Sequence, residues 1–295
     1  MAFKRISIGI RLAIPCFSLM PSFVGAQAPA QPTAVSGATP HVYKTVVDAE
    51  LRLYVLAPAD GVAGSPRPAI VLFFGGGLTE GSVTQFAPQA RHLAGRGMVA
   101  ILADYRVRDR HGTTPFDAIS DAKSAMRWVR AHASTLGIDP SRVVAGGGSS
   151  GGQLALATAM VDGFDDPADN RRVSAAPSAF VLFNPAVDTT MARDRFGERA
   201  RDASPFHHIR KGLPPMLIVH GKADTTVPYS SVESFCERVK DAGADCQLIG
   251  YEDAPHGFFN QGVANDLWYR DTLLEADRFL TRLGYLPSPS PSEIR

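Results

Sequence analysis

The chain has 295 residues, 45% of them apolar and 20% charged, with 30 Lys plus Arg against 29 Asp plus Glu. That balance fits one large globular α/β domain or two small ones, and it excludes disorder and collagen. No basic run stands out, which excludes an electrostatic footprint for nucleic acid.

The amino terminus has the three parts of an export signal. Basic Lys4, Arg5 and Arg11 precede an apolar stretch from Leu12 to Val24, and small residues end in Val24-Gly25-Ala26. About 13 apolar residues broken by Pro15 and Pro21 fall short of the roughly 20 that a spanning helix needs. The expectation is a signal over residues 1–26, cut after Ala26, and a secreted or periplasmic protein with no membrane attachment. The mature chain would then hold 27 basic against 29 acidic residues, a net charge of −2. Cys16 leaves with the signal, so Cys236 and Cys246 remain, and in an oxidising compartment they can pair; two buried thiols are the alternative. A loop of that length would contribute about 2–3 kcal/mol.

Residues 27–40 are Pro, Ala and Ser rich without periodicity and read as a flexible leader, with the fold starting near His41. His41–Val47 and Leu51–Leu56 look like an opening strand pair. Strands follow at Pro68–Phe74, Met98–Tyr105, Arg142–Gly147, Ala179–Pro185, Pro215–Gly221 and Gln247–Glu252. Five of these are continuously apolar, as expected for parallel strands covered on both faces. Helical patterns fall between them near 82–95, 150–160, 229–242 and 265–283. Phe116, Ile119, Ala122, Met126 and Val129 mark another helix of about 20 residues ending before Gly137. The alternation implies right-handed crossovers and an open, mostly parallel sheet with its ligands at the carboxyl ends of the strands.

The candidate chemistry lies at those ends. Gly147-Gly148-Ser149-Ser150-Gly151-Gly152 follows a strand and opens a small-residue helix. A Gly-x-Ser-x-Gly turn projects a nucleophile from a strand-to-helix corner, and the helix amino end favours negative charge. The frame centred on Ser149 leaves the Ser150 N–H for an oxyanion; the frame one residue on would select Ser150. A phosphate loop is disfavoured, because no Lys follows before Lys211.

Asp224 stands beyond an apolar strand 75 residues after Ser149, and His256 follows in the next strand's loop. A serine hydroxyl is too weak an acid to attack an ester unaided, so an imidazole takes its proton and a carboxylate fixes the imidazole's tautomer. Glu252, Asp253 and Asp188 are the competing carboxylates. His207 and His208 read as loop or packing histidines without metal-ligand spacing, and His220 as the cap of a strand end. Gly75-Gly76-Gly77 after a buried strand lets backbone N–H groups point at a developing oxyanion, so Gly76, Gly77 and Ser150 are the candidate donors. Leu78, His111 and Phe258 are candidate substrate contacts, with Phe196 among the loops that shape the pocket.

These residues resemble the α/β-hydrolase fold, and within it the hormone-sensitive-lipase-like carboxylesterases. The resemblance is carried by Phe74-Gly75-Gly76-Gly77, Asp104-Tyr105-Arg106, the serine turn, His220-Gly221 with Asp224 and Val227-Pro228, and His256-Gly257-Phe258. It runs from about residue 42 to 284. It implies an α/β-hydrolase domain over 41–286, a sheet of about eight strands, a disordered tail over 287–295, and catalysis by Ser149, His256 and Asp224 without cofactor or metal. Two positions depart from the family pattern: Phe74 stands where a histidine is usual, and Gly148 where an acidic residue is. Only about 30 residues separate Phe183 from Leu217, so the cap is expected to be small or absent and the site open and shallow. With the export reading, the chain is similar to secreted acetyl xylan and feruloyl esterases, which implies a small-molecule or polysaccharide-borne ester as substrate. A prolyl-oligopeptidase-like serine peptidase and a non-catalytic binding module are the rival readings.

Overall fold

The computed structural model describes residues 30–47, 49–58 and 65–288. The expected signal and residues 289–295 of the expected tail lie outside the described residues.

Eight strands form one sheet: β1 (Thr39–Val46), β2 (Ala49–Leu56), β3 (Arg67–Phe73), β4 (Val99–Ala103), β5 (Ile138–Gly148), β6 (Ala179–Phe183), β7 (Met216–Gly221) and β8 (Cys246–Tyr251). Their order across the sheet is β1-β2-β4-β3-β5-β6-β7-β8. β1 pairs antiparallel with β2, and β2 antiparallel with β4; every other neighbour is parallel. The hydropathy pattern explains the arrangement. All of β4, β6 and β7 is buried, as continuous apolar strands require when helices cover both faces, whereas edge strand β1 alternates.

The covering helices are α1 (Ala87–Gly95), the single turn α2 (Arg108–His111), α3 (Pro115–Ala131), α4 (Ser150–Met160), the single turn α5 (Arg193–Phe196), α6 (Tyr229–Asp241) and α7 (Leu267–Arg282). Pro115 at the first position and a capping box between Thr114 and Asp117 start α3, whose Ile119, Ala122, Met126 and Val129 face the core. It runs 17 residues, shorter than the periodicity predicts. His132 leaves helical geometry, and Gly137 at φ 65° turns the chain into β5.

Residues 30–38 differ from a free leader. Val35 is buried, Tyr54 donates its hydroxyl to Pro32 O, and the Gln31 side chain accepts from Val83 N and donates to Gly81 O. The strand itself starts at Thr39, two residues before His41. Poor periodicity hid this segment, because it is held by single side-chain contacts instead of an apolar face. Between α6 and β8, Cys236 and Cys246 form a disulfide with Cα atoms 5.6 Å apart, within the usual span. Among the described residues no helix is long and apolar enough to cross a membrane.

Register places the site. Phe73 pairs with Gly147 and Gly148 with Phe183, so the loops leaving β3, β5 and β6 emerge side by side; Gly221 pairs with Tyr251, which does the same for β7 and β8.

Candidate active site

Ser149 sits between β5 and α4 at φ 54°, ψ −122°, a left-handed backbone that a serine holds only when its surroundings impose it. Its N–H donates to Phe183 O at 3.0 Å, and its carbonyl accepts from Ala186 N at 3.0 Å. The flanking glycines are required by close approach. A Cβ on Gly147 would stand 2.5 Å from Phe73 O, and one on Gly151 2.1 Å from the same oxygen. The corner therefore needs glycine at both places, and it is the Ser149 hydroxyl, 3.0 Å from His256 Nε2, that the corner presents. Gly148 has no room for the family's acidic residue either: a Cβ there would meet the Phe259 ring at 2.5 Å.

Asp224 and His256 arrive from the ends of β7 and β8. His256 Nδ1 donates to Asp224 Oδ2 at 2.7 Å, so its Nε2 is left to accept from Ser149 Oγ at 3.0 Å. The tautomer follows from the carboxylate, which only accepts. Burial alone would raise the Asp224 carboxyl, but donors on both oxygens hold it well below the usual carboxylate range: the His220 and His256 rings on Oδ2, and the N–H of Val227 on Oδ1 at 2.8 Å. Asp224, and none of the competing carboxylates Glu252, Asp253 and Asp188, is the one that meets His256, and two of those three are engaged elsewhere. Glu252 pairs with Lys222 at the surface, and Asp188 Oδ1 caps its own turn through Thr190 N and accepts from Ser204 Oγ. His207 contacts Ser204 Oγ, and His208 donates to Asp202 O.

A cavity of about 100 Å³ opens on Ser149 and is lined by Gly77, Leu78, Ser150, Phe196 and Val227 among others. Leu78, predicted as a substrate contact, lies there. Ser150 begins α4 and Gly77 faces the same space, as oxyanion donors would; Gly76 borders a neighbouring cavity of about 460 Å³ with Gln85 and Arg110. Two predicted contacts do not reach the cavity. Phe258 is fully buried, with its ring against Tyr251 and Trp268, because the segment after His256 turns into the core. His111 folds back on its own helical turn, where Nδ1 accepts from Val107 N at 3.0 Å.

The segment between β6 and β7 is small, as expected, and it still contributes to the site. Met191, Ala192, Arg195 and Phe196 form one wall of the cavity, and Arg195 donates to Gly77 O at 3.0 Å. Phe196 was expected near the pocket; the sequence carries no signal for Met191, Ala192 and Arg195, since α5 is one turn long and has no periodicity. Phe74 also finds a role. It stacks on Tyr105 with centroids 4.1 Å apart, and the Tyr105 hydroxyl donates to Phe74 O at 2.6 Å, so the glycine loop is tied to the end of β4. Gly75 N donates to Gln85 Oε1 at 2.7 Å. Among the described residues no cluster of His, Cys, Asp and Glu could hold a metal.

The BD-FAE family model matches residues 55–191 and 184–239. Esterase LipC of Mycobacterium tuberculosis is 29% identical over 220 residues, which are 65% of this chain and 53% of LipC. Carboxylesterase NlhH of the same organism is 32% identical over 65% of this chain and 67% of its own length. The chain spans about half the length of LipC and LipM. Thermogutta terrifontis esterase 2, in a structure of the enzyme phosphorylated by paraoxon, superposes with a TM-score of 0.83 at 48% identity, covering 86% of this chain and 97% of that one. A propionate-bound structure of the same esterase matches with the same TM-score at 46% identity, over 86% of this chain and 97% of that one. With the eight-stranded sheet and the serine corner in place, the chain belongs to the BD-FAE family on an α/β-hydrolase fold, among relatives that are carboxylic ester hydrolases.

Proposed function

We propose that the protein is a serine carboxylic ester hydrolase acting on short acyl esters. The observation that carries this reading is the continuous chain Ser149 Oγ, His256, Asp224, at 3.0 and 2.7 Å, opening on a small cavity beside a helix amino end. His256 Nε2 takes the Ser149 proton as Oγ attacks the ester carbonyl. The N–H groups of Gly77 and Ser150, with Gly76 in the same loop, meet the oxyanion. His256 then protonates the leaving alkoxide, and the acyl group stays on Ser149. Water, deprotonated by His256, attacks the acyl-enzyme and releases the carboxylic acid and the free serine.

The cavity argues for the size of the acyl group. About 150 Å³ accommodates one benzene ring, so a space of about 100 Å³ suits acetyl to butyryl better than a feruloyl ring. Propionate and butyrate complexes of Thermogutta terrifontis esterase 2 support the same range. Within the carbohydrate-ester reading, this favours acetylated over feruloylated polysaccharide. The signal-like first 26 residues and the disulfide support release into an oxidising compartment outside the cytoplasm.

Hydrolysis of p-nitrophenyl esters from acetate to palmitate, with acetylated xylan and methyl ferulate alongside, tests the proposal. Activity is expected to peak between acetate and butyrate and to fall by at least about 10⁴ in Ser149→Ala. A peak at long chains, or methyl ferulate preferred to every short ester, would overturn the acyl assignment. No ester hydrolysis at all would overturn the function.

A further inference from the structure

Resting on that reading of the site, we infer that His220 is a second histidine of the catalytic apparatus, a positioning residue for Asp224. It is the fifth residue of β7, fully buried, and its ring stands edge-on to Tyr229 with centroids 5.9 Å apart. Its Nε2 lies 2.9 Å from Val227 O and 3.3 Å from Asp224 Oδ2. Both are acceptors, so Nε2 carries the hydrogen and shares it between them. Nδ1 is buried without a partner among the described residues. An imidazole used only to fill space or cap β7 would not aim its one engaged nitrogen at the triad carboxylate while the other goes unmet.

The consequence is geometric. Asp224 Oδ1 is held by its own turn, through Thr226 N and Val227 N at 2.8 Å each. Those bonds fix Oδ1 relative to the turn and make no contact with β7. Oδ2, the oxygen that must face His256, is the one His220 reaches, and the same N–H grips the carbonyl of Val227 at the far side of the turn. His220 thus ties the Asp224–Val227 turn to the end of β7. It sets Oδ2 where His256 Nδ1 finds it at 2.7 Å. Because His220 is fully buried and reaches the cavity only through the Val227 carbonyl, its loss should lower kcat far more than it raises KM for a small ester.

Three variants test this. In His220→Gln the side-chain amide places a donor near the lost Nε2–H. In His220→Asn the donor is too short to reach, and in His220→Leu there is none. With p-nitrophenyl acetate, kcat of the Leu and Asn variants should fall about tenfold or more at similar KM, and Gln should recover most of it. The downfield proton resonance of His256 Nδ1–H should shift or broaden in Leu and Asn and return in Gln. This second readout needs no turnover, so it separates failure of the positioning role from failure of the esterase reading, which wild type and Ser149→Ala decide. Equal kcat and an unmoved resonance across Gln, Asn and wild type would overturn the role of His220. So would a Gln variant as slow as Asn in a protein of unchanged melting temperature. If Leu does not fold, the contrast between Gln and Asn still decides.

Discussion

Two sides of Ser149 are built in different ways. In the proposed mechanism the chemistry on the β7 and β8 side belongs to side chains: Asp224 stands 2.7 Å from His256 and 3.3 Å from His220, and each depends on its own identity. On the β3 and β4 side the chemistry belongs to backbone N–H groups, and the side chains serve only to hold a glycine loop still. Tyr105 grips Phe74 O, Gln85 grips Gly75 N, Arg110 and Gln31 grip Gly81 O, and Arg195 grips Gly77 O. The first side concentrates its function in a few atoms; the second distributes it over five supports. Single substitutions should therefore abolish activity on one side and erode it on the other.

The largest expected effect is Asp224→Asn. It keeps the shape and the Oδ1 acceptor for Val227 N, but presents an amide where His256 needs an acceptor, so the imidazole loses its tautomer. A fall of about 10⁴ in kcat is expected, with the circular dichroism spectrum and KM for p-nitrophenyl acetate close to wild type. A loss smaller than tenfold would mean that another carboxylate orients His256, and the concentrated side would be distributed after all.

The same contrast decided what the sequence could reveal. Ser149, Asp224 and His256 were legible because chain order and strand-end placement constrain them, and the continuous apolar runs gave the central strands of the sheet. The supports were not legible. Arg195 comes from a one-turn helix, Gln31 from a segment with no periodicity, and each acts through single side-chain contacts that leave no pattern in the chain. His220 was visible as a residue and read as the cap of a strand end; only the fold shows that its Nε2 also stands 3.3 Å from Asp224 Oδ2. Phe258 and His111 failed for the opposite reason: proximity in sequence to site residues does not say which way a side chain points, and one turned into the core and the other onto its own backbone.

The distributed side also contains a titrating group. Burial pushes the Asp104 carboxyl up to about 7, partly offset by Arg110, whose Nη1 stands 4.0 Å away. The folded protein then binds a proton that the unfolded chain releases near 4. The stability this group supplies is complete below about pH 4, declines as pH rises, and is gone above about pH 7. Asp104→Asn cannot ionise and keeps the acceptor for Tyr105 N. Its advantage over wild type should grow by about 4 kcal/mol between pH 4 and pH 8, read from urea unfolding at both. A gap that does not change with pH would show that Asp104 keeps its charge in the fold.

Tyr105→Phe should have the smallest effect and gives the finest test of how load is shared among the loop's supports. The ring remains to stack on Phe74, so only the 2.6 Å bond from the hydroxyl to Phe74 O is lost. Leaving that carbonyl without its donor should cost about 1–2 kcal/mol of stability. Because the Gln85, Arg110 and Arg195 contacts persist, kcat should fall only a few-fold, and the loss should appear in kcat and not in KM, as for a loop that serves the transition state. A drop approaching the 10² to 10³ expected for a lost oxyanion donor would mean that Tyr105 alone carries the loop. The two sides of Ser149 would then be alike, each hanging on a single buried hydrogen bond.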